Sequence, residues 1–477
     1  MKIAKQITIL FSAVCITTYV QAQGSLTPPG APTATMKTLD QIEPRIDVST
    51  LSGDASHEII ISEPGSYFLS GNLEATKDLG ILISSDHVTL DLNGFEVSHV
   101  SAGVNGIRID NSTQVTVHNG SVTGFTYGIA SFKSRGCLIE KIKASGCSLT
   151  GIDAGLSSII KDCHSHDNGN HGIASSDNSM ISGCSVYGNQ GYGIVAGDSS
   201  TISDCTAYSN VWTYGIFANV NSTLDRCTAY NNQGEGIHVR SGGTVNGCAA
   251  RNNLSSGIYA EAGSVITACT AHDNLGSFGI YGGNGSVISE STAYNNKGTY
   301  GIYAASGSSI NECSAYSNDG AGSSSYGIYV SSGSSIIQCV ARNNSNTNSP
   351  TTASQGTGIY ASAGSTVKNC SVSSNRGDGI RVAGDCLVTD NNCDGNGSGS
   401  GDGAGIHSTS TDNRIDSNTV TDNDRGIDVD SSGSLIIRNS ASGNGTNYDI
   451  GSSNKDAQVL TPGANFSSTD PWANFSF

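Results

Sequence analysis

The densest group of side chains able to bind a metal or transfer protons contains His164, His166, Asp167 and His171. If the first three lie on one strand, His164 and His166 share a face, and two imidazoles with a third ligand from His171 or Asp167 suit one metal ion. The same group could act as a general base in catalysis. Against both interpretations, His272–Asn274 repeats the triplet His-Asp-Asn at the same place in a later repeat. That repetition favours a structural role.

Aspartates accumulate toward the C-terminus, among glycine, serine and asparagine. Oxygen-rich turns of this kind can hold Ca²⁺, although the spacing follows no calcium-binding repeat. Ca²⁺ is the one cofactor suggested, and no other is expected. The residues concerned are Asp394, Asp402, Asp412, Asp422, Asp424, Asp428 and Asp430.

These side chains belong to a repeat of 21 or 22 residues, and the repeat predicts the fold. The dipeptide Gly-Ile occurs fifteen times at about this spacing, from Gly106 to Gly426. A cysteine keeps step with it from Cys163 to Cys370, with Ser291 in the one vacant position. Short β-type segments at this period, without a helical pattern, are typical of a solenoid.

Each repeat predicts a coil of three short strands separated by Gly, Ser, Asn and Asp. Because side chains alternate between faces of a strand, Ile302 and Cys313 point inward while Tyr303 and Tyr316 point outward. One asparagine per coil follows the cysteine by three to five residues, and such asparagines can pass hydrogen bonds from coil to coil. The expected column is Asn168, Asn189, Asn210, Asn231, Asn253, Asn274, Asn295 and Asn318.

Two outward columns of rings follow from this arrangement. The column after Gly-Ile contains Phe217, His238, Tyr259, Tyr281, Tyr303, Tyr329 and Tyr360. Its five tyrosines are either a ladder that stabilises the sheet or a platform that binds sugar rings. A second column on another face contains His166, Tyr187, Tyr208, Tyr230, Arg251, His272, Tyr294, Tyr316 and Arg342.

Length variation is confined to one corner of the coil. The glycine of the next Gly-Ile follows the cysteine position by 9 or 10 residues up to Gly301, and then by 14, 19, 9 and 12 residues. Insertions at one corner of a solenoid commonly build its binding face. Two long coils around a short one predict a notch with Asn375–Asp378 as its floor, in which Arg376 and Asp378 contact a ligand. The alternative is that the insertions are polar loop tips without a function.

The repeat resembles the right-handed parallel β-helix proteins of the pectin-lyase-like superfamily, in particular secreted bacterial repeat proteins with a Cys-x-Ala-Tyr-x-Asn…Gly-Ile-Tyr coil. The resemblance covers about residues 80–450 and implies an all-β, three-strand solenoid of about 16 coils. It implies no single activity, because the superfamily includes lyases, hydrolases, epimerases, adhesins and binding proteins. The Asp clusters and Gly-His-Gly of polygalacturonases are absent, as is the Asp-Pro-His-Asp of uronate epimerases, which argues against an enzyme of these classes.

The ends of the chain predict export and caps. Lys2 and Lys5 precede an apolar run that ends in Val20-Gln21-Ala22, which is typical of a signal peptide (1–22) cleaved after Ala22. Residues 23–79 are expected to form a linker and an N-terminal cap with a short helix at Met36–Glu43, and residues 451–477 a C-terminal cap. No later segment is long and apolar enough to insert into a membrane, so a secreted or cell-surface location is predicted.

The net charge limits the partners that the chain can be expected to bind, and the cysteine content indicates whether disulfides are expected. The net charge is −17, and −19 once Lys2 and Lys5 are removed with the signal peptide, so nucleic acid is not an expected partner. Of fourteen cysteines, the thirteen outside the expected signal peptide fall at about one per coil, which suggests buried thiols, with bridges between adjacent coils as the alternative. We therefore expect an exported β-helix that binds or scaffolds a polysaccharide or cell-surface glycan. The alternatives are a polysaccharide-active lyase, hydrolase or epimerase, and a structural spike or adhesin.

Overall fold

The structure is a computed structural model that describes residues 45–320, 324–347, 355–398, 403–461, 463 and 468–477. The expected signal peptide and residues 23–44 of the expected linker and cap, including the helix at Met36–Glu43, lie outside these ranges. Within them the chain forms strands and one short 3-10 turn, Val48–Thr50, and no α-helix. Each strand pairs in parallel with the strand one coil later, so the fold is a parallel β-solenoid. The all-β prediction is confirmed.

The strands form three ladders along the solenoid. The first, here called the Gly-Ile sheet, contains His57–Ile61, Leu79–Ile83, Glu96–Ile109, Thr116–Ala130, Ile152–Ala154, Ile173–Ser175, Ile194–Ala196, Tyr214–Ala218, Glu235–Val239, Ile258–Ala260, Phe278–Gly282, Tyr300–Ala304, Ser325–Val330, Gln355–Ala361, Ile380–Val382, Ala404–Ser408, Arg425–Val429 and Thr446–Ile450. Two of these strands, Glu96–Ile109 and Thr116–Ala130, are long enough to continue from a neighbouring ladder into this one.

The second ladder, here called the middle sheet, contains Ile46–Asp47, Gly65–Phe68, Val88–Asp91, the start of Thr116–Ala130, Leu138–Ser145, Ile159–Lys161, Met180–Ser182, Thr201–Ser203, Thr223–Asp225, Thr244–Asn246, Val265–Thr267, Val287–Ser289, Ser309–Asn311, Ser335–Ile337, Thr366–Lys368, Leu387–Thr389, Arg414–Asp416, Leu435–Ile437 and Lys455–Asp456.

The third ladder, here called the cysteine sheet, contains Leu73–Ala75, parts of Glu96–Ile109, Thr116–Ala130 and Leu138–Ser145, then His164–His166, Ser185–Tyr187, Thr206–Tyr208, Thr228–Tyr230, Ala249–Arg251, Thr270–His272, Thr292–Tyr294, Ser314–Tyr316, Val340–Arg342, Ser371–Ser373, Asn392–Asp394, Thr419–Thr421, Ser440–Ser442 and Asn474–Ser476, with Val459–Leu460 paired to the last.

The stack begins earlier and ends later than expected. Ile59 pairs with Ile81, so residues before 80 already form coils, and the solenoid has about 18 coils instead of 16. The coil that contains Ile59 has Glu58 in place of the glycine, which is why the repeat missed it. At the other end, Asn474–Ser476 pairs in parallel with Ser440–Ser442 and extends the cysteine sheet.

The interior is filled as the alternation predicted. Ile302 and Cys313 are at most 1% exposed, while Tyr303 and Tyr316 lie outside. All thirteen cysteines among the described residues are buried and free of disulfide bonds. Burial raises the pKa of Cys147 to about 11, so this thiol is protonated and packs as a small apolar side chain.

The asparagine ladder exists, but two of its expected members were wrong. Its residues always follow the cysteine slot by five positions, so Asn232 and Asn296 belong to it, and not Asn231 and Asn295. Asn231 and Asn295 instead have φ angles of 56° and 54°. Such a left-handed residue precedes the ladder position in each of these coils and turns the next side chain inward. Asparagine tolerates that conformation, so composition alone could not distinguish the two neighbours.

Candidate functional site

The four residues at 164–171 do not converge. His164 and His166 flank buried Ser165 and point outward from the cysteine sheet. The Nδ1 atom of His166 lies 2.8 Å from Oδ2 of exposed Asp167, and its ring stacks on that of Tyr187. His171 lies at the start of the Gly-Ile sheet, where its ring stacks on another tyrosine and burial lowers its pKa. The geometry therefore places His166 and His171 in two different aromatic rows.

The five predicted tyrosines after Gly-Ile form one continuous stack. From Tyr259 through Tyr281, Tyr303 and Tyr329 to Tyr360, successive ring centroids are 4.1–5.3 Å apart and the planes differ by 7–9°. Parallel pairing fixes this spacing, because each ring is attached to the same position of the next coil. The stacked neighbours cover the ring faces, so the stack presents ring edges and hydroxyl groups to solvent.

A second row of rings lies beside this stack, one residue before each glycine. Phe278, Tyr300 and Tyr326 stack on one another and meet the first row at a steep angle. Tyr300 makes angles of 69° and 71° with Tyr303 and Tyr329. We call the two rows together, from Tyr192 to Tyr360, the aromatic face.

The hydroxyl groups of Tyr300 and Tyr329 in the aromatic face are neutral at physiological pH. Burial, reinforced by neighbouring phenols, raises the pKa of Tyr300 to about 12, and burial also raises that of Tyr329. The Tyr303 hydroxyl lies 3.0 Å from Oγ of Ser331. These phenols can therefore both donate and accept hydrogen bonds with a ligand.

The other predicted column, on the cysteine sheet, is also a ladder. His166, Tyr187, Tyr208 and Tyr230 stack with centroids 4.7–4.8 Å apart, and the Arg251 guanidinium carbon lies 4.3 Å from the Tyr230 ring centre. We call this column the single row. It has no second row of rings beside it in the described residues, which distinguishes it from the aromatic face.

The predicted notch is only partly visible. Residues 348–354 and 399–402 of its flanking insertions lie outside the described ranges. Arg376 is partly exposed, and its contact with a ligand stays a prediction. Asp378, however, is fully buried, which corrects its expected place on an open floor. Its carboxylate accepts a hydrogen bond from the backbone N–H of Ala404 at 2.9 Å and lies 3.0 Å from Nδ1 of His407, so it is held inside by its partners.

Asp378 belongs to a charged cluster at the C-terminal end of the aromatic face. His407 lies among three carboxylates: Nδ1 is 3.0 Å from Asp378, and Nε2 is 3.0 Å from Asp430 and 3.9 Å from Asp428. Arg425 pairs with Asp428 at 2.7 Å. We call these five residues the histidine cluster. The side chains of His407 and Asp428 are 9% and 5% exposed, whereas that of Asp430 is 55% exposed.

The protonation of the histidine cluster follows from these contacts. Burial alone would lower the pKa of His407, but the hydrogen bond and charge of Asp378, with those of Asp430 and Asp428, raise it to about 9. Burial raises the pKa of Asp428 against the opposing effect of Arg425. At neutral pH the imidazole is therefore a cation that bridges carboxylates from different coils.

Two of the aspartates proposed for Ca²⁺ lie in this cluster. Among the described residues, His407, Asp428 and Asp430 are the one group of three His, Cys, Asp or Glu whose ligand atoms lie within 4.8 Å of one another. Asp394 instead accepts a hydrogen bond from Thr421, and Asp402 lies outside the described ranges. Ca²⁺ binding stays a prediction, which calcium titration of the purified chain would test.

Sequence reasoning missed His407, although a signal was present. The residue after Gly-Ile is Arg381, His407 and Asp428 in the three coils that follow Tyr360. Extending the tyrosine column by three positions would have exposed the change from rings to charges. Asp378 is two residues before Ile380 and so belongs to the adjacent row.

The sequence matches the family described as "Right handed beta helix region" over residues 69–205, 194–345 and 321–460. These segments cover most of the chain, which therefore belongs to this family of right-handed β-helix proteins. The comparison confirms the fold and the resemblance found in the repeat. No curated protein matches the sequence.

Several solved structures are similar to this chain at low identity and low TM-score. The mannuronan C-5 epimerase AlgE6 A-module of Azotobacter vinelandii is 11% identical with a TM-score of 0.29, covering 79% of this chain and 88% of that chain. Pectate lyase Pel9A is 15% identical with a TM-score of 0.21, covering 65% and 66%. The tailspike receptor binding domain of Siphovirus 9NA is 9% identical with a TM-score of 0.31, covering 75% of each.

The described residues include no helix with the length and apolar character needed to cross a bilayer.

Proposed function

We propose that the protein is exported and binds a neutral or weakly charged polysaccharide along the aromatic face. The observation that carries the proposal is the double row of rings, which places phenol edges and hydroxyls at every coil, about 4.8 Å apart, over Tyr259 to Tyr360. A regular row of neutral donors and acceptors suits a long ligand with repeating hydroxyl groups. A net charge of −17 disfavours a polyanion.

The mode of contact differs from simple stacking. Because neighbouring rings cover each other's faces, a sugar ring cannot lie flat on Tyr303 or Tyr329. Hydrogen bonds to the phenol oxygens and contacts with the ring edges remain available. The rings of the two rows are inclined at 69–71° to each other around Tyr300. A polysaccharide chain lying along the boundary between the rows can therefore contact both rows at once.

Export is supported by the sequence of the first 22 residues, with Lys2 and Lys5, the apolar run and Ala22 before the expected cleavage site. N-terminal sequencing of the chain recovered from the medium of an expressing bacterium tests it. A chain that starts at Met1 and stays in the cytoplasm would contradict it.

Binding is tested by removing hydroxyls while keeping rings. Tyr303→Phe and Tyr329→Phe preserve the stack, and each is expected to weaken binding of a glycan-array hit by about 0.5–1.5 kcal/mol, the net value of one hydrogen bond. Tyr208→Phe and Tyr230→Phe in the single row are matched controls and should leave affinity unchanged. Loss of affinity in the control variants alone would indicate that the glycan binds to the cysteine sheet instead. If all four variants bind with the affinity of the parent chain, the phenol hydroxyls have no role in binding.

The histidine cluster favours a second candidate, a polysaccharide-active enzyme. The same outward positions hold tyrosines in earlier coils, so the fold does not require buried charges there. Buried ionisable groups with raised pKa values are common at catalytic sites. His407 as the cation could donate a proton and exposed Asp430 could accept one.

Catalysis is tested with the bound glycan as substrate. A reducing-sugar assay, with absorbance at the wavelength of unsaturated products, would detect hydrolysis or elimination, and NMR would detect epimerisation. Turnover that disappears in His407→Gln and Asp430→Asn, while binding persists, would establish the enzyme. Binding without turnover in the parent chain would leave the binding function alone.

A further inference from the structure

Trp212 lies at the N-terminal end of the aromatic face and differs from the stacked tyrosines. It is 60% exposed, and its ring centroid lies 6.1 Å from that of Tyr192, at an angle of 41°. Tyr192 in turn contacts Tyr214 and Phe217, so Trp212 is continuous with the aromatic face.

The coils on either side leave the indole uncovered. Trp212 follows the ladder asparagine by two positions, and the equivalent residues of the preceding and following coils are Gly191 and Gly234. The corner requires both glycines, because a Cβ would lie 2.4 Å from the side-chain oxygen of Asn170 in one case and 1.8 Å from the carbonyl oxygen of Thr213 in the other. No neighbouring side chain can therefore stack on Trp212 from these positions.

A surface depression of about 480 Å³ lies beside the indole. None of its lining residues is charged, in a chain with a net charge of −17. Within the described residues, the side-chain amides of Asn170 and Gln190 make no hydrogen bond to protein. The lining residues are Leu149, Gly169, Asn170, Gln190, Val211 and Trp212.

We propose that this depression is a subsite for one neutral pyranose ring at the end of the bound polysaccharide. A pyranose has an apolar C–H face and a rim of hydroxyl groups. The open indole covers the apolar face, and the amides of Asn170 and Gln190 can donate to and accept from the hydroxyls. Leu149, Val211 and Trp212 line the depression at 38%, 42% and 60% exposure, and the absence of charge fits a neutral ligand. This proposal rests on the proposed function and defines where one end of the bound polysaccharide lies.

The chain holds only two tryptophans, Trp212 and Trp472, which allows a site-specific test. Trp472 is 49% exposed and lies at the C-terminal end of the solenoid. In Trp472→Phe the fluorescence reports on Trp212 alone, and in Trp212→Phe it reports on Trp472 alone. The probes are cellohexaose, xylohexaose and mannohexaose, with hexagalacturonate as the charged control, and calorimetry on the parent chain measures binding independently.

At least one neutral hexasaccharide is expected to shift Trp212 emission to the blue and protect it from acrylamide, with a saturable curve, while Trp472 emission stays unchanged. Trp212→Ala should raise the Kd of that saccharide by about 5- to 150-fold, by analogy with bases stacked on aromatic side chains. Trp472→Ala should leave it unchanged.

Calorimetric binding by the parent chain without any change at Trp212 would overturn the subsite and leave the proposed function standing. If no saccharide binds the parent chain, both proposals fail. A blue shift that grows with protein concentration in the absence of saccharide would show that a second copy covers Trp212, and would also overturn the subsite.

Discussion

The assignment of the asparagine ladder predicts a sharp contrast between two adjacent residues of the same type. Asn296 is buried in the ladder, whereas Asn295 is exposed. The Asn296 side chain accepts hydrogen bonds from the backbone and side-chain N–H groups of Asn274, at 3.2 and 3.0 Å, and donates to Ala271 and Asn318, both at 3.0 Å. Asn296→Ala removes all four bonds and leaves the buried backbone N–H of Asn274 without its acceptor.

The expected cost is large for a single amide. A buried donor left without an acceptor costs about 1–3 kcal/mol, and each of the three other bonds contributes about 0.5–1.5 kcal/mol net. Asn296→Ala should therefore lower the free energy of unfolding by about 2.5–7.5 kcal/mol. Asn295→Ala loses only the tolerance of asparagine for a φ angle of 54°, which is about 1 kcal/mol.

Urea unfolding followed by far-UV circular dichroism measures both variants, and hydrogen exchange reports on the amide of Asn274. Exchange at that amide should accelerate in Asn296→Ala and not in Asn295→Ala. If the two variants unfold within about 0.5 kcal/mol of each other, or if Asn295→Ala is the more damaging, the ladder assignment is refuted.

Three further predictions concern the core and the histidine cluster. Thiol titration should find almost no reactive group in the native chain and at least seven after denaturation, because the cysteines are buried and unbridged; one or none after denaturation would indicate disulfides. Ile302→Asp should cost about 3–5 kcal/mol through an unpaired buried charge, whereas Ser309→Asp, which faces outward, should cost little. Because the pKa of His407 is raised from 6.5 to about 9, its contribution of about 3 kcal/mol is complete below pH 6.5 and lost as pH rises through 9. This loss should be absent from the pH-dependent unfolding of His407→Gln.

The interior was predictable because it depends on local alternation. A period of two within each strand fixes whether Ile302 or Tyr303 points inward, and the repeat confirms the choice in every coil. The single left-handed residue before each ladder position breaks this alternation. The left-handed conformation of Asn231 makes Asn232, and not Asn231, the member of the ladder. Several residue types adopt this conformation equally well, so the residue type alone did not reveal which of the two points inward.

The histidine cluster was harder to predict because it joins residues far apart in sequence. Asp378, His407 and Asp430 are separated by 29 and 23 residues, and coils of unequal length bring them together. The regular 21- or 22-residue count fails at this point. Only the position relative to Gly-Ile, and not the number of intervening residues, brings the three side chains to one place.

The asparagine ladder also gives the solenoid an electrical polarity. From Asn168 to Asn423 each side-chain N–H in the ladder donates to the carbonyl oxygen of the asparagine in the next coil, so the amide dipoles point the same way and polarise one another. As in an α-helix, aligned dipoles leave partial charge at the two ends of the row. The N–H groups point toward the C-terminal coil, which makes that end the positive one. A molecule with a net negative charge thus carries along its axis a fixed field that distinguishes its two ends.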